Sequence, residues 1–345
     1  MLPTPQEVLK DLHGQGALRD GYVYPAALEP LEESFRAFLV NLRDELNNDL
    51  RDVSRNVLFD FTPPGFYLDY VDATELNATA LSSGNYSFVL FTVPMVKRLL
   101  ETSDRLSELS FVSELLALPP VSSRPLLRTM LFSLQFTFLV CHEFSHHAFG
   151  HVGTIRKEFH DSPNNQGLAW QVHEVEADTY AAYIALAHLF DGAGGKPADT
   201  FFAEQHRSTA LDEVLLGLFI LAVGTLFYTL PGLSVDSTTV TQRHHPPEDL
   251  RMNYIMHSTA SWCNQSRPAL ELWLTPTRFQ SYIRPLIQAT RGPVAAGSSL
   301  SPQSVFLSSP DGAKYRDELE QLRLARFAAR RERKRSKQAA DAEST

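Results

Sequence analysis

Residues 138–150 read FLVCHEFSHHAFG, and His142-Glu143-Phe144-Ser145-His146 within them decides how the rest of the chain is read. An apolar run leads into the stretch and Gly150 closes it, so the spacing predicts a helix from Leu126 to Phe149. At about 100° per residue, His142 and His146 lie about 40° apart on such a helix, one turn above the other. Two imidazoles on one face can reach the same cation, and Glu143 stands beside the first of them without occupying the same point. Zinc accepts neutral imidazole nitrogens, and a catalytic zinc site needs three protein ligands and one position left for water.

A third ligand is expected on the next long helix, predicted from about Ala169 to Phe190, which carries His173-Glu174-Val175-Glu176-Ala177-Asp178. Glu174 and Asp178 are four residues apart and share a helical face. Glu174 can ligate the metal while Asp178 accepts the remaining N–H of a ligand histidine, which fixes its tautomer and orientation. Glu176 points about 200° from Glu174 and is expected to be structural or solvated. His147 and His151 invite the HExxHxxGxxH pattern, but that pattern needs glycine at position 149 and histidine at 152, where this chain has Phe149 and Val152. Both histidines are expected to face away from the His142–His146 side, as surface or internally satisfied polar groups.

Composition bounds the alternatives. With 345 residues, 43% of them hydrophobic, the chain fills a core and is not disordered throughout. A formal charge of −9 argues against a generic nucleic-acid binder. The two cysteines, Cys141 and Cys263, provide neither a disulfide framework nor a cysteine metal site, and Cys141 reads as a buried thiol. The start, MLPTPQEVLKDLHGQG, lacks a basic flank followed by an apolar stretch, so a cytoplasmic location is expected, with membrane association as the alternative. That alternative rests on Val214 to Val235, a segment without charge and long enough to span a bilayer. A helix buried on all sides satisfies the same pattern.

Along the chain, apolar residues at helical spacing predict a helix from Leu31 to Val53, and VLFDFTPPGFYLDYVD reads as strands. Ser83-Gly84-Asn85 fits a tight connection between two extended segments. Pro94 suits the first turn of a helix running to about Ala117. A turn at 244–247 leads into a further helix, residues 293–311 read as a linker, and the charged C-terminus reads as a solvated helix fraying into a tail. The expected fold class is α+β, mainly helical, with a small antiparallel sheet and the HExxH helix. Expected units are 1–69, a region packing on the core; 70–260, the catalytic domain; 261–311, helices and linker; and 312–345, a partly disordered helical tail.

The motifs taken together resemble the gluzincin metallopeptidases, in the branch with the CAAX-prenyl endopeptidases, the heat-shock membrane proteases and the phage-exclusion Lit peptidases. HEFSH is followed by EVEAD, Asn77-Ala78-Thr79-Ala80 precedes a strand as that branch's edge-strand motif does, and His245-Pro246-Pro247 with Arg251 is similar to its downstream signature. The likeness spans roughly residues 70–255 and implies a zincin-like domain that hydrolyses peptide bonds with one Zn2+ per chain. It implies that His142, His146 and Glu174 hold the zinc, that Glu143 is general base and then acid, and that Asp178 orients a ligand histidine. His245 and Arg251 would stabilise the oxyanion or hold substrate backbone, and Asn77 and Ala78 would lie on the edge strand that pairs with an extended substrate. The membrane members carry several spanning helices and this chain has at most one, which favours the Lit-like end. A single crossing by residues 214–235 would put Glu174 and His245 on opposite sides of a membrane, so a shared site requires a segment that is buried or dips without crossing. The expected partner is a protein or peptide substrate, with no nucleic acid. Two other readings stay open: a zinc-binding sensor or scaffold without proteolysis, and a membrane-associated protein with a chance HExxH.

Overall fold

The computed structural model describes residues 3–19, 21–28, 31–56, 65–117, 124–152, 166–195, 209–229, 239–291 and 302–343. Helix α1 (Pro5–Gly14) opens with a capping box, in which the Thr4 hydroxyl accepts from the Glu7 N–H and the Glu7 carboxylate accepts from Thr4. Helix α2 (Glu33–Asn56) follows, and then three strands, β1 (Gly65–Val71), β2 (Ala78–Ser83) and β3 (Tyr86–Thr92). The sheet order is β1-β3-β2, with β2 and β3 antiparallel across a turn at Gly84, whose φ of +56° favours glycine. β1 runs parallel to β3, so the sheet is mixed where an antiparallel one was expected. The strands read at 57–64 lie outside the described residues.

The alternation along β1 assigns its two faces. Phe66, Leu68 and Tyr70 join the main core, whereas Tyr67 and Val71 pack with Leu9, Leu18, Tyr22 and Tyr24 of the N-terminal segment. The outer edge of β1 is closed by a side chain of α2. The Asn47 amide donates to the Leu68 carbonyl (3.1 Å) and accepts from the Leu68 N–H (2.7 Å), as a neighbouring strand would. β2 forms the opposite edge of the sheet.

Helix α3 (Val93–Ser107) starts where expected, with Pro94 in its first turn and the Thr92 hydroxyl accepting from the Met95 N–H. It does not run on to Ala117. The chain breaks at Glu108–Leu109 and resumes as α4 (Ser110–Leu115), and Ala117 takes a φ of +52°. Helices α5 (Arg124–Ala148) and α6 (Gln166–Asp191) form the centre of the protein and carry HEFSH and EVEAD. Helix α7 (Thr209–Tyr228) lies against α5 and, through Gly217 and Gly224, against Tyr282, Ile283 and Leu286 of a later helix. Its Leu211–Tyr228 stretch is long and apolar enough to cross a membrane, and 78% of it is buried inside the protein. Residues 230–235 of that apolar segment lie outside the described residues.

After a 3-10 turn at Val240–Gln242 come α8 (Glu248–Ser266), α9 (Pro268–Trp273), α10 (Pro276–Arg291), α11 (Pro302–Leu307) and α12 (Pro310–Glu343). One expectation is corrected here: residues 302–307 of the presumed linker are helical. The charged C-terminus is helical as expected and exposed along 331–333, but the part before it is docked. α12 continues to Glu343, buries Tyr315 and Leu319, and packs on α6. What the charge pattern hid is that two of its arginines turn inward.

Gly167, in the first turn of α6, lets the 240–243 loop approach closely. A Cβ there would overlap the Thr241 carbonyl, a backbone atom that no rotamer change can move. Gly167→Ala is therefore expected to destabilise the protein by about 1–3 kcal/mol, the usual cost of overpacking, read as a lower midpoint in denaturant. An unchanged midpoint would show that this loop does not press on α6.

Candidate metal centre

Helical spacing on α5 brings His142 and His146 together as expected, with their Nε2 atoms 3.1 Å apart. α6 crosses beneath and presents Glu174, whose Oε2 lies 3.4 Å from His142 Nε2 and whose Oε1 lies 3.5 Å from His146 Nε2. Ligand atoms of the three residues all fall within 4.8 Å of one another, in a largely buried position. Among the described residues this is the cluster of histidine, cysteine and carboxylate groups able to hold a metal ion.

Each histidine is oriented from behind. His142 Nδ1 stands 2.9 Å from Asp178 Oδ1, and the Arg251 guanidinium donates to both oxygens of Asp178, at 2.7 and 2.8 Å. His146 Nδ1 stands 3.0 Å from Nδ1 of His151, whose Nε2 lies 3.0 Å from Glu176 Oε2. A carboxylate only accepts, so His151 carries its proton on Nε2. Burial holds His151 well below the usual histidine range, so it is neutral and its Nδ1 accepts from His146 Nδ1–H. Both ligand histidines are thereby left with lone pairs on Nε2, aimed at one point beside a carboxylate. Three lone-pair donors facing one another repel unless a cation lies among them, and this donor set fits a divalent metal. A proton serves the same geometry. Although burial opposes the charge, hydrogen bonds to Asp178 and Glu174 hold His142 up at about 10. Against the cost of its burial, His142 and His245 keep Glu174 well below the carboxylate range.

Glu143, half-buried, lies outside the ligand cluster. Burial raises its carboxyl to about 7, the charge on His142 and the facing N–H of Ala80 opposing that rise. The register of β2 explains why Ala80 faces it. The Thr92 N–H donates to the Asn77 carbonyl (3.0 Å), so Thr79, Leu81 and Ser83 face β3, and Ala78, Ala80 and Ser82 face the outer edge. Asn77 itself is held by the Tyr22 hydroxyl, to which its amide donates at 2.8 Å. His147 anchors α5 under this sheet, donating from Nε2 to the Phe88 carbonyl at 2.9 Å.

His245 and Arg251 both reach the cluster. His245 Nδ1 is 2.9 Å from Glu174 Oε2 and its side chain is 59% exposed, so the residues on either side of α7 meet in one place. Arg251 is turned into the protein, against Asp178, 3.3 Å from Glu174 Oε2 and 4.5 Å over the Phe227 ring. It lies behind the carboxylates instead of facing an open surface, unlike the group expected to meet an oxyanion.

His151 is where the sequence reading is corrected: it is buried and swings back under His146 instead of facing away. Glu176 takes the structural one of its two expected roles, buried and paired with His151 and Arg330. The cause is the end of α5. Gly150 takes a φ of +65°, its N–H donates to the His147 carbonyl, and the His151 N–H donates to the His146 carbonyl at 2.8 Å. This Schellman closure sets the residue after the glycine against the residue five before it. The signal that could have found His151 is Gly150 itself. Cys141 is buried as expected, and burial pushes its thiol up, away from reactivity.

The Peptidase U49 family model matches residues 123–266. The matched stretch runs from the start of α5 to the end of α8 and contains His142, Glu143, His146, Glu174, Asp178, His245 and Arg251. This similarity supports a peptidase, a hydrolase acting on protein or peptide substrates. No curated protein and no solved structure matches the chain.

Proposed function

We propose that this chain is a zinc-dependent endopeptidase of the gluzincin kind, with zinc held by His142, His146 and Glu174. The observation that carries the reading is the convergence of those three donors on one buried point, with Glu143 beside it under the sheet edge. Zinc bound there supplies Lewis acidity, which acidifies water toward a pKa of about 7 and polarises a carbonyl.

The residues divide the remaining work. Glu143 takes the proton of the attacking water and returns it to the leaving amine. Asp178 keeps the His142 lone pair on Nε2, and Arg251 fixes Asp178 and Glu174 from behind. His245, exposed beside Glu174, is the side chain that meets the developing oxyanion. An extended substrate segment adds to the outer edge of β2 through the main chain of Ala78 and its neighbours, with Asn77 fixing the start of the strand. Nothing in this scheme calls on a membrane, since α7 is mostly buried, packed chiefly between α5 and α10.

The test is elemental analysis of the purified protein together with digestion of a peptide library. About one zinc per chain is expected, with cleavage lost to a chelator and restored by added Zn2+. Cleavage that survives chelation, or protein that purifies and reconstitutes without zinc, would overturn the reading. Stoichiometric zinc with no cleavage of any library would favour a zinc-binding scaffold instead.

A further inference from the structure

We propose that the C-terminal helix α12 is part of the metal centre, acting through Arg330, Glu176 and His151 as positioning residues for His146. This rests on the metal-site reading above and extends it to a part of the chain beyond residues 123–266.

The connection is continuous. His146 Nδ1 lies 3.0 Å from His151 Nδ1, and His151 Nε2 lies 3.0 Å from Glu176 Oε2, which accepts its proton. Glu176 accepts from the Arg330 guanidinium and lies 3.8 Å from Arg326 Nε. Arg330 also stacks over the ring of Phe149 at 4.5 Å, just beyond the end of α5. The His173 ring lies parallel to that of His151, 4.0 Å away, and holds its plane. The two ligand histidines are thus backed alike. Behind His142 stand an aspartate of α6 and an arginine of α8; behind His146 stand a histidine, a glutamate of α6 and an arginine of α12.

Buried carboxylates need a countercharge, and removing one member of such a pair is costly. Arg330 supplies that charge to Glu176, which in turn fixes the tautomer of His151 and so the direction of the His146 lone pair. A second contact runs parallel to the first. The Tyr315 hydroxyl of α12 donates to Gln171 (2.6 Å), whose amide donates to the Val240 and Arg243 carbonyls and so steadies the loop leading to His245.

The experiment measures Zn2+ affinity by chelator competition, and the visible spectrum of the Co2+-loaded full chain, for the parent and four variants. Arg330→Met and Glu176→Gln are each expected to weaken Zn2+ binding by about 10–100-fold and to change the Co2+ spectrum. Arg330→Lys is expected to restore most of the affinity. Arg323→Met, which breaks the Arg323–Glu320 pair on the same helix, is expected to change neither readout. Thermal melts of the metal-free proteins identify any variant that fails to fold, in which case the other of the first two decides. Parent-like affinity and spectrum in folded Arg330→Met or Glu176→Gln would overturn the proposal, as would an equal loss in Arg323→Met. A parent that binds no Zn2+ would remove the metal reading itself, a different failure.

Discussion

Glu143→Gln is expected to keep its metal and lose about 10²–10⁴-fold in kcat, the usual contribution of a general acid–base group. The amide preserves the shape of the side chain and can still accept from the Ala80 N–H, but it has no basic lone pair for a proton. Because Glu143 is not among the three converging ligand residues, the substitution leaves His142, His146 and Glu174 in place. The measurement is turnover of a cleaved library peptide, with zinc content determined on the same sample. A lower kcat at similar KM is the signature of a group used in the chemistry and not in binding. Retained turnover would place the base elsewhere. Loss of zinc together with activity would make Glu143 a ligand and break the assignment of roles.

The second large effect concerns the seat of that active-site helix. Phe136 lies six residues before His142, is fully buried, and meets Phe91 of β3 at 4.6 Å and Tyr70 of β1 at 6.1 Å between ring centroids. Phe136→Ala removes the ring that joins α5 to both strands and leaves a cavity among neighbours that cannot collapse fully. A loss of about 3–5 kcal/mol is expected, measured by denaturant unfolding. The ligands come from α5 and α6 and not from the sheet, so the folded fraction should retain zinc. A cost under about 1 kcal/mol, typical of surface positions, would show that the sheet is held to α5 by other contacts.

Much of the centre was legible because it follows from helical geometry. Four-residue spacings put His142 above His146 and Glu174 on one face with Asp178, and helices form at both places. The mainly helical α+β class also followed, from apolar periodicity on long segments and alternation on short ones. What escaped was set by chain reversal or by distant packing. The parallel pairing of β1 with β3 depends on β3 lying between β1 and β2, which alternation does not encode. His151 was expected to face away from His142 and His146, whereas a left-handed Gly150 folds it back. Arg251 was assigned by its place in a motif, and only the packing of α8 on α6 turns it toward Asp178. Arg326 and Arg330 sit in a run of charge that reads as solvated, and only the docking of α12 reveals which of them face Glu176.

Asn47 closes one margin of the sheet, and the proposed substrate addition uses the other, the main chain of β2 beside Glu143. Recognition by pairing of main-chain groups is largely indifferent to side-chain identity, but it demands a stretch whose own N–H and C=O groups are unspent. A helix or an interior strand cannot offer them. An enzyme that works this way sorts its targets by foldedness before it sorts them by sequence: loops, termini and unravelled segments qualify, and intact domains are spared.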